Sequence, residues 1–156
     1  MCGTPEYLAP ELVLGRGHNK AVDYWSFGIL VYEMQTGYSP FSDPMNGDQN
    51  VILKNIVNAR CLYPPGFNKD CQQMCAGLLT REVQSRLGNR KDGVDEIMKS
   101  KWFSSLSFDD MMKRKIKAPW VPKLKSDQDF SNFVPYEDDH VEDKSYVDRS
   151  NWDAEF

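Results

Sequence analysis

Glu33 has the setting in this chain that most invites a chemical role. It falls inside a run from Trp25 to Met34 that is apolar on nearly every side, and a carboxylate among such neighbours is costly unless a partner meets it. Other candidates thin out quickly. Gly15-x-Gly17 lacks the third glycine of a phosphate-binding loop and precedes no strand pattern, which argues against a phosphate loop there. Cys2, Cys61, Cys71 and Cys75 occur with two histidines and no Cys-x-x-Cys pair. That predicts reduced, mostly buried thiols rather than a metal site or disulfides. Phe133, Tyr136, Trp152 and Phe156 stand in a polar, acidic stretch, where large aromatics suit docking better than local packing.

The elements that must position these residues are helical. Residues 1–22 hold Gly3, Pro5, Pro10, Gly15 and Gly17, a density of breakers that predicts loop and short turns. Asp23 is placed to cap a helix running to about Gly37, and Trp25, Phe27, Ile29, Leu30, Val31 and Met34 predict burial all round. Pro40, Pro44 and Gly47 interrupt the chain. Asp48 then starts a second helix whose Val51, Ile52, Leu53, Ile56 and Val57 form one apolar face. Further helices are predicted over 69–79 and 94–103, and no strand pattern appears.

Residues 1–125 carry 17 basic and 13 acidic side chains, whereas 126–156 carry 2 and 10, so an acidic tail follows a mildly basic body. The tail is poor in aliphatic periodicity and cannot bury enough surface to fold alone. The longest apolar run, Ile29 to Tyr32, is too short to span a bilayer, and no hydrophobic leader follows Met1. A cytoplasmic protein without membrane contact is expected. Overall acidity without a basic stripe argues against nucleic acid.

Several short strings occur in a telling order: Cys2-Gly3-Thr4-Pro5-Glu6-Tyr7-Leu8-Ala9-Pro10-Glu11, then Asp23-x-Trp25-Ser26-x-Gly28, Arg86-Leu87-Gly88-Asn89 and Lys101-Trp102-Phe103. Together these resemble the C-lobe of the AGC group of serine/threonine protein kinases, from the end of the activation segment onward. The likeness is strongest to the cyclic-nucleotide-dependent members. Asn19 to Asp23, Lys117 to Pro122 and Ser131-Asn132-Phe133 look like the cAMP-dependent enzyme; Phe41 to Met45 and the Trp152…Phe156 ending look more like the cGMP-dependent one. The resemblance implies a mainly α fold: residues 1–103 as the C-terminal part of a kinase domain, and 104–156 as an extended, largely irregular AGC tail.

The resemblance also implies roles. Thr4 would bridge to the catalytic aspartate of a complete kinase. Met1, Pro5 and Leu8 would form the apolar shelf for the residue after the phosphorylated Ser or Thr, and Glu6 and Glu33 would pair with substrate arginines, which carboxylates receive bidentately. Glu11 and Arg86 correspond to a buried ion pair, Asp23 to a helix-capping aspartate and Trp25 to core. Phe133 and Tyr136 would reach the nucleotide pocket, and Trp152 and Phe156 form a hydrophobic motif for the N-lobe.

Kinase chemistry needs a Gly-rich loop, a strand lysine, a His-Arg-Asp loop and an Asp-Phe-Gly metal ligand, and none of these occurs in the sequence. The reading is therefore of the C-terminal portion of a kinase whose parent uses ATP and Mg2+ on basic Ser/Thr substrates. The isolated chain is expected to be inactive, to bind neither cofactor, and to have the missing N-lobe and a regulatory subunit as partners. The alternative is a non-catalytic module that binds kinase regulators or substrates.

Overall fold

A computed structural model of the protein describes residues 4–43 and 47–134. The chain divides into two units, residues 1–117 and 118–156. The described residues contain helices and turns and no strand. Six α-helices occur among the described residues: α1 (Pro10–Val13), α2 (Ala21–Thr36), α3 (Gln49–Asn58), α4 (Lys69–Leu78), α5 (Asp95–Met98) and α6 (Phe108–Met112). Single 3₁₀ turns lie at Pro5–Tyr7, Val83–Ser85 and Lys101–Phe103.

Helix α2 starts two residues before Asp23. Asn19 Oδ1 accepts from the Ala21 N–H at 2.9 Å and fixes the entry turn. Asp23 is thus an exposed residue of the first turn rather than the N-cap, where its charge still suits the positive end of the helix dipole. The far end closes at Gly37, whose φ of 82° lets its N–H reach the Glu33 carbonyl at 2.7 Å.

Helices α2 and α4 pack closely because Gly28 has no side chain. A Cβ there would lie 2.8 Å from Leu78 Cβ. On one side of the contact Trp25, Ile29, Phe41 and Ile56 form an apolar cluster in which the Trp25 and Phe41 rings stack at 5.4 Å and 11°. On the other, Tyr32, Cys71, Met74, Leu78 and Ile97 form a second. The expectation that α2 is buried all round fails at Leu30 and Met34, which are 43% and 76% exposed. They lie one turn apart on a stripe that no described element covers.

Caps explain the remaining boundaries. Asp48 accepts from the Asn50 N–H to start α3, and Asn68 accepts from the Asp70 and Cys71 N–H groups to start α4. The helix predicted over 94–103 is broken in two. Ser100 is extended, with its Oγ 3.4 Å from Met74 Sδ, so α5 stops at Met98 and the chain re-enters as the 3₁₀ turn carrying Trp102. Helix α6 lies in the segment predicted to be irregular; Ser107 Oγ accepts from the Asp110 N–H and caps it. Cys71 and Cys75 are buried with their Sγ atoms 4.0 Å apart, and Cys61 is half-buried; all three are free thiols that burial pushes up from the ordinary range. Cys2 lies outside the described residues.

Candidate functional site

Thr4 to Glu11 is a proline-punctuated ribbon laid on α2. Thr4, Leu8 and Ala9 are extended, and Pro5 and Pro10 each open a helical turn, positions where their fixed φ and missing N–H cost nothing. The Tyr7 N–H bonds the Thr4 carbonyl at 3.1 Å. Thr4 is exposed and its side chain makes no capping bond. Ala9 is fully buried, which ties the ribbon to the Trp25 cluster, while Pro5, Glu6 and Leu8 stay half-buried at the surface.

Two cross-links hold the ribbon to α2. The Tyr7 hydroxyl donates to Glu33 Oε2 at 2.5 Å, and Ser26 Oγ donates to the Tyr7 carbonyl at 3.0 Å. The Glu33 bond, followed by burial and by the charges of Glu33 and Glu6, raises the Tyr7 hydroxyl above its ordinary pKa of 10.0. Glu6, Tyr7 and Glu33 therefore form one electrostatic group. The partner demanded by a mid-helix carboxylate is Tyr7, which sequence reasoning missed; its only signal is a phenol beside Glu6 in the proline-bounded string.

Glu11 and Arg86 meet bidentately, Nη1 to Oε1 at 2.6 Å and Nη2 to Oε2 at 2.9 Å, with both side chains buried. The guanidinium also donates from Nε to Thr80 O at 3.0 Å, from Nη1 to Ala21 O at 2.9 Å and from Nη2 to Arg81 O at 3.5 Å. All five N–H donors are thus engaged. Its carbon lies 5.2 Å from the centroid of the Trp25 ring, a cation–π placement. Burial alone would push the Glu11 carboxyl up, but the hydrogen bonds and charge of Arg86, together with its own backbone, hold it below the usual carboxylate value. One side chain consequently clamps the ribbon, the start of α2 and the end of α4 around Trp25.

Arg86 is aimed by the turn after α4 and backed by Gly88. With φ at 88°, Gly88 occupies a conformation that suits glycine, and a Cβ there would meet Ile97 at 2.8 Å. Of the tail aromatics, Phe133 is described and is 71% exposed. Met1, Tyr136, Trp152 and Phe156 lie outside the described residues. Among the described residues no group of three His, Cys, Asp or Glu side chains is placed to hold a metal ion, and no helix is long and apolar enough to cross a membrane.

Residues 1–103 match the protein kinase domain family. The chain is 39% identical over 152 residues to the cAMP-dependent protein kinase catalytic subunit of Dictyostelium discoideum, covering 95% of this chain and 23% of that protein. It is 38% identical over 136 residues to the cAMP-dependent protein kinase catalytic subunit PRKX of Homo sapiens, covering 87% and 37%. Against the serine/threonine-protein kinase YPK1 of Saccharomyces cerevisiae it is 42% identical over 132 residues, covering 85% and 19%. The chain thus spans between about a fifth and two fifths of the length of these relatives.

Proposed function

The chain belongs to the protein kinase family, and on that premise we propose that it is the C-terminal portion of a cyclic-nucleotide-dependent-type AGC serine/threonine kinase. Residues 1–103 complete the C-lobe, and 104–156 form the tail. The parent transfers the γ-phosphoryl group of ATP to Ser or Thr near arginines, in the cytoplasm, with a regulatory subunit as a further partner. Its Gly-rich loop, catalytic base and Mg2+ ligands are not among the residues of this chain. The described side chains do not fit a metal ion, and no catalytic step is assigned to them.

The observation that carries the reading is the Glu6–Tyr7–Glu33 group. Two carboxylates held on one face of a rigid ribbon and helix suit guanidinium recognition. Tyr7 satisfies one oxygen of Glu33, which leaves the other for an incoming arginine. Pro5 and Leu8, both half-buried, would supply the apolar shelf together with Met1, and the exposed Thr4 would bridge to the base of the complete kinase. In the tail, Phe133 and Tyr136 are assigned to the nucleotide pocket and Trp152 and Phe156 to the N-lobe.

The test is a chimera that joins this chain to the preceding catalytic portion of a cAMP-dependent relative. The chimera should phosphorylate peptides with Arg before the acceptor serine. The 156-residue chain incubated alone with ATP and Mg2+ should label nothing. Glu33→Gln in the chimera should raise KM for Arg-containing peptides several-fold and leave that for Ala-substituted peptides unchanged. A folded but inactive chimera, or equal loss on both peptides, would sink the reading.

A further inference from the structure

A cleft of about 400 Å³ lies between α4, the turn that follows it, α5 and the start of the 3₁₀ turn at Lys101. Its volume is that of a ligand site, and none of the described residues assigned above to substrate or nucleotide lines it. The floor is apolar, made by Met74 and Leu87 across Gly77, where a Cβ would stand 3.2 Å from Leu87 Cβ. The rim is charged. Arg90, Lys99 and Lys101 line it together with two carboxylates, Asp70 and Glu96.

The carboxylates do not use up the cations. Glu96, 16% exposed, is held by Arg90 Nε at 3.8 Å and by the Gly88 N–H at 3.4 Å. Arg90 turns the same Nε to the Ser85 carbonyl at 2.9 Å, so its two terminal nitrogens donate to nothing among the described residues. Lys99 meets Asp95 at 3.1 Å in a pair exposed on both sides, too weak to hold it against a ligand. The Lys101 ammonium has no hydrogen-bond or ion-pair partner among the described residues. Asp70 is exposed in the first turn of α4, where the helix dipole favours its charge.

Ser100 stands between the two lysines, part-buried, and its hydroxyl donates to Met74 Sδ at 3.4 Å. A thioether is a weak acceptor, so an anionic oxygen arriving in the cleft takes this donor from sulfur. Two ammonium groups, the free end of a guanidinium and a hydroxyl offer more donors than one carboxylate can accept. A phosphoryl group brings about −1.5 to −2 charge at neutral pH and three strong acceptor oxygens, and a guanidinium takes such oxygens in pairs. A nucleic-acid backbone or an anionic bilayer would set further negative charge against Asp70 and Glu96. A single phosphoryl group does not, and the apolar floor suits the side chains that flank a phosphorylated residue in a peptide.

We propose that this cleft binds a phosphorylated Thr or Ser side chain of a partner protein, with the phosphoryl oxygens on Lys99, Ser100, Lys101 and Arg90 and an apolar neighbour of the phosphoresidue over Met74 and Leu87. The site is separate from the Glu33 group and does not rest on the kinase reading. The probe is an immobilised peptide library with phosphothreonine fixed at its centre and degenerate flanks, beside the same library with Thr. The 156-residue chain should be retained by the phosphorylated library alone. For the best-retained phosphopeptide, Lys101→Gln should weaken affinity about tenfold with an unchanged thermal midpoint, and Ser100→Ala should weaken it as well. No retention by the phosphorylated library, equal retention by both, or an affinity that neither substitution changes would overturn the proposal. Inorganic phosphate that competes as well as the phosphopeptide would assign the cleft to a free anion and overturn the partner. So would Lys101-dependent binding to phosphatidylserine vesicles with no phosphopeptide retained, which would assign the cations to a membrane surface.

Discussion

The Tyr7 hydroxyl and the Glu33 carboxylate, 26 residues apart in sequence, are joined by a 2.5 Å hydrogen bond. The bond solves two problems at once. It gives the Glu33 carboxylate, near the C-terminal end of α2, a donor, and it pins the proline-punctuated ribbon to that helix. Ser26 adds a second tie about two turns away along the same helix.

Tyr7→Phe should therefore destabilise the chain by about 1 kcal/mol, the lower end for a bond to a charged group because the pair is only part-buried. The pH dependence follows from the raised Tyr7 pKa. The unfolded phenol ionises near its ordinary 10.0, so stability from the pair is complete below that pH and is lost as pH rises through the folded value. Urea titrations of wild type and variant should differ at pH 8 and converge in strong alkali. A constant difference throughout would assign the loss to packing.

Glu11→Gln should cost about 3–5 kcal/mol, because it leaves a fully buried guanidinium without its counter-charge. Arg86→Lys should be comparably harmful: an ammonium keeps the charge but loses the bidentate fork, the carbonyl contacts and the placement over Trp25. Glu11 sits below its ordinary 4.5, so its contribution is present above that pH and disappears as pH falls through the folded value. Denaturation midpoints measured from pH 7 to 3 should fall steeply in wild type and less in Glu11→Gln. A Gln variant as stable as wild type at pH 7 would refute the clamp.

Gly28→Ala should destabilise by about 1–3 kcal/mol through overpacking, since the new methyl would meet Leu78 Cβ at 2.8 Å, an atom anchored to α4. Gly17→Ala is the control, with nothing within 4 Å of the added carbon. Thermal melting of the two should separate them clearly, and equal midpoints would show that α2 and α4 can slide apart without penalty.

The helical class, the α3 and α4 starts and the order of the motifs were legible because each rests on local signals: Asp48 at the start of α3, and apolar residues at helical spacing in α4. What escaped depends on tertiary context. Periodicity alone assigned Leu30 and Met34 to the interior, because nothing in an apolar stripe says whether a neighbour covers it. Helix α2 opens at Ala21, whose N–H is taken by Asn19 Oδ1, so Asp23 falls inside the first turn instead of capping it, and the Ser100 contact with Met74 broke a helix that its composition allowed. At the candidate site the carboxylates Glu6 and Glu33 and the Glu11–Arg86 pair could be named from motifs. Tyr7 as the partner of Glu33, and the three carbonyls gathered by Arg86, are contacts between distant segments that no spacing rule encodes.

Ala59 closes α3 in the left-handed region, with φ at 51°, and its N–H bonds the Ile56 carbonyl at 2.9 Å. A side chain there costs about 1–2 kcal/mol relative to the right-handed helix, and glycine, which has no such penalty, is the usual residue at a helix end of this kind. Ala59→Gly removes that strain and in return gives the unfolded chain more freedom, an opposing effect of about 0.4–1 kcal/mol. The net expectation is a stabilisation of about 0.5 kcal/mol, visible as a small upward shift of the thermal midpoint. A lower midpoint would mean that the Ala59 methyl, half-buried against the Trp25 cluster, contributes more by packing than it costs in backbone strain.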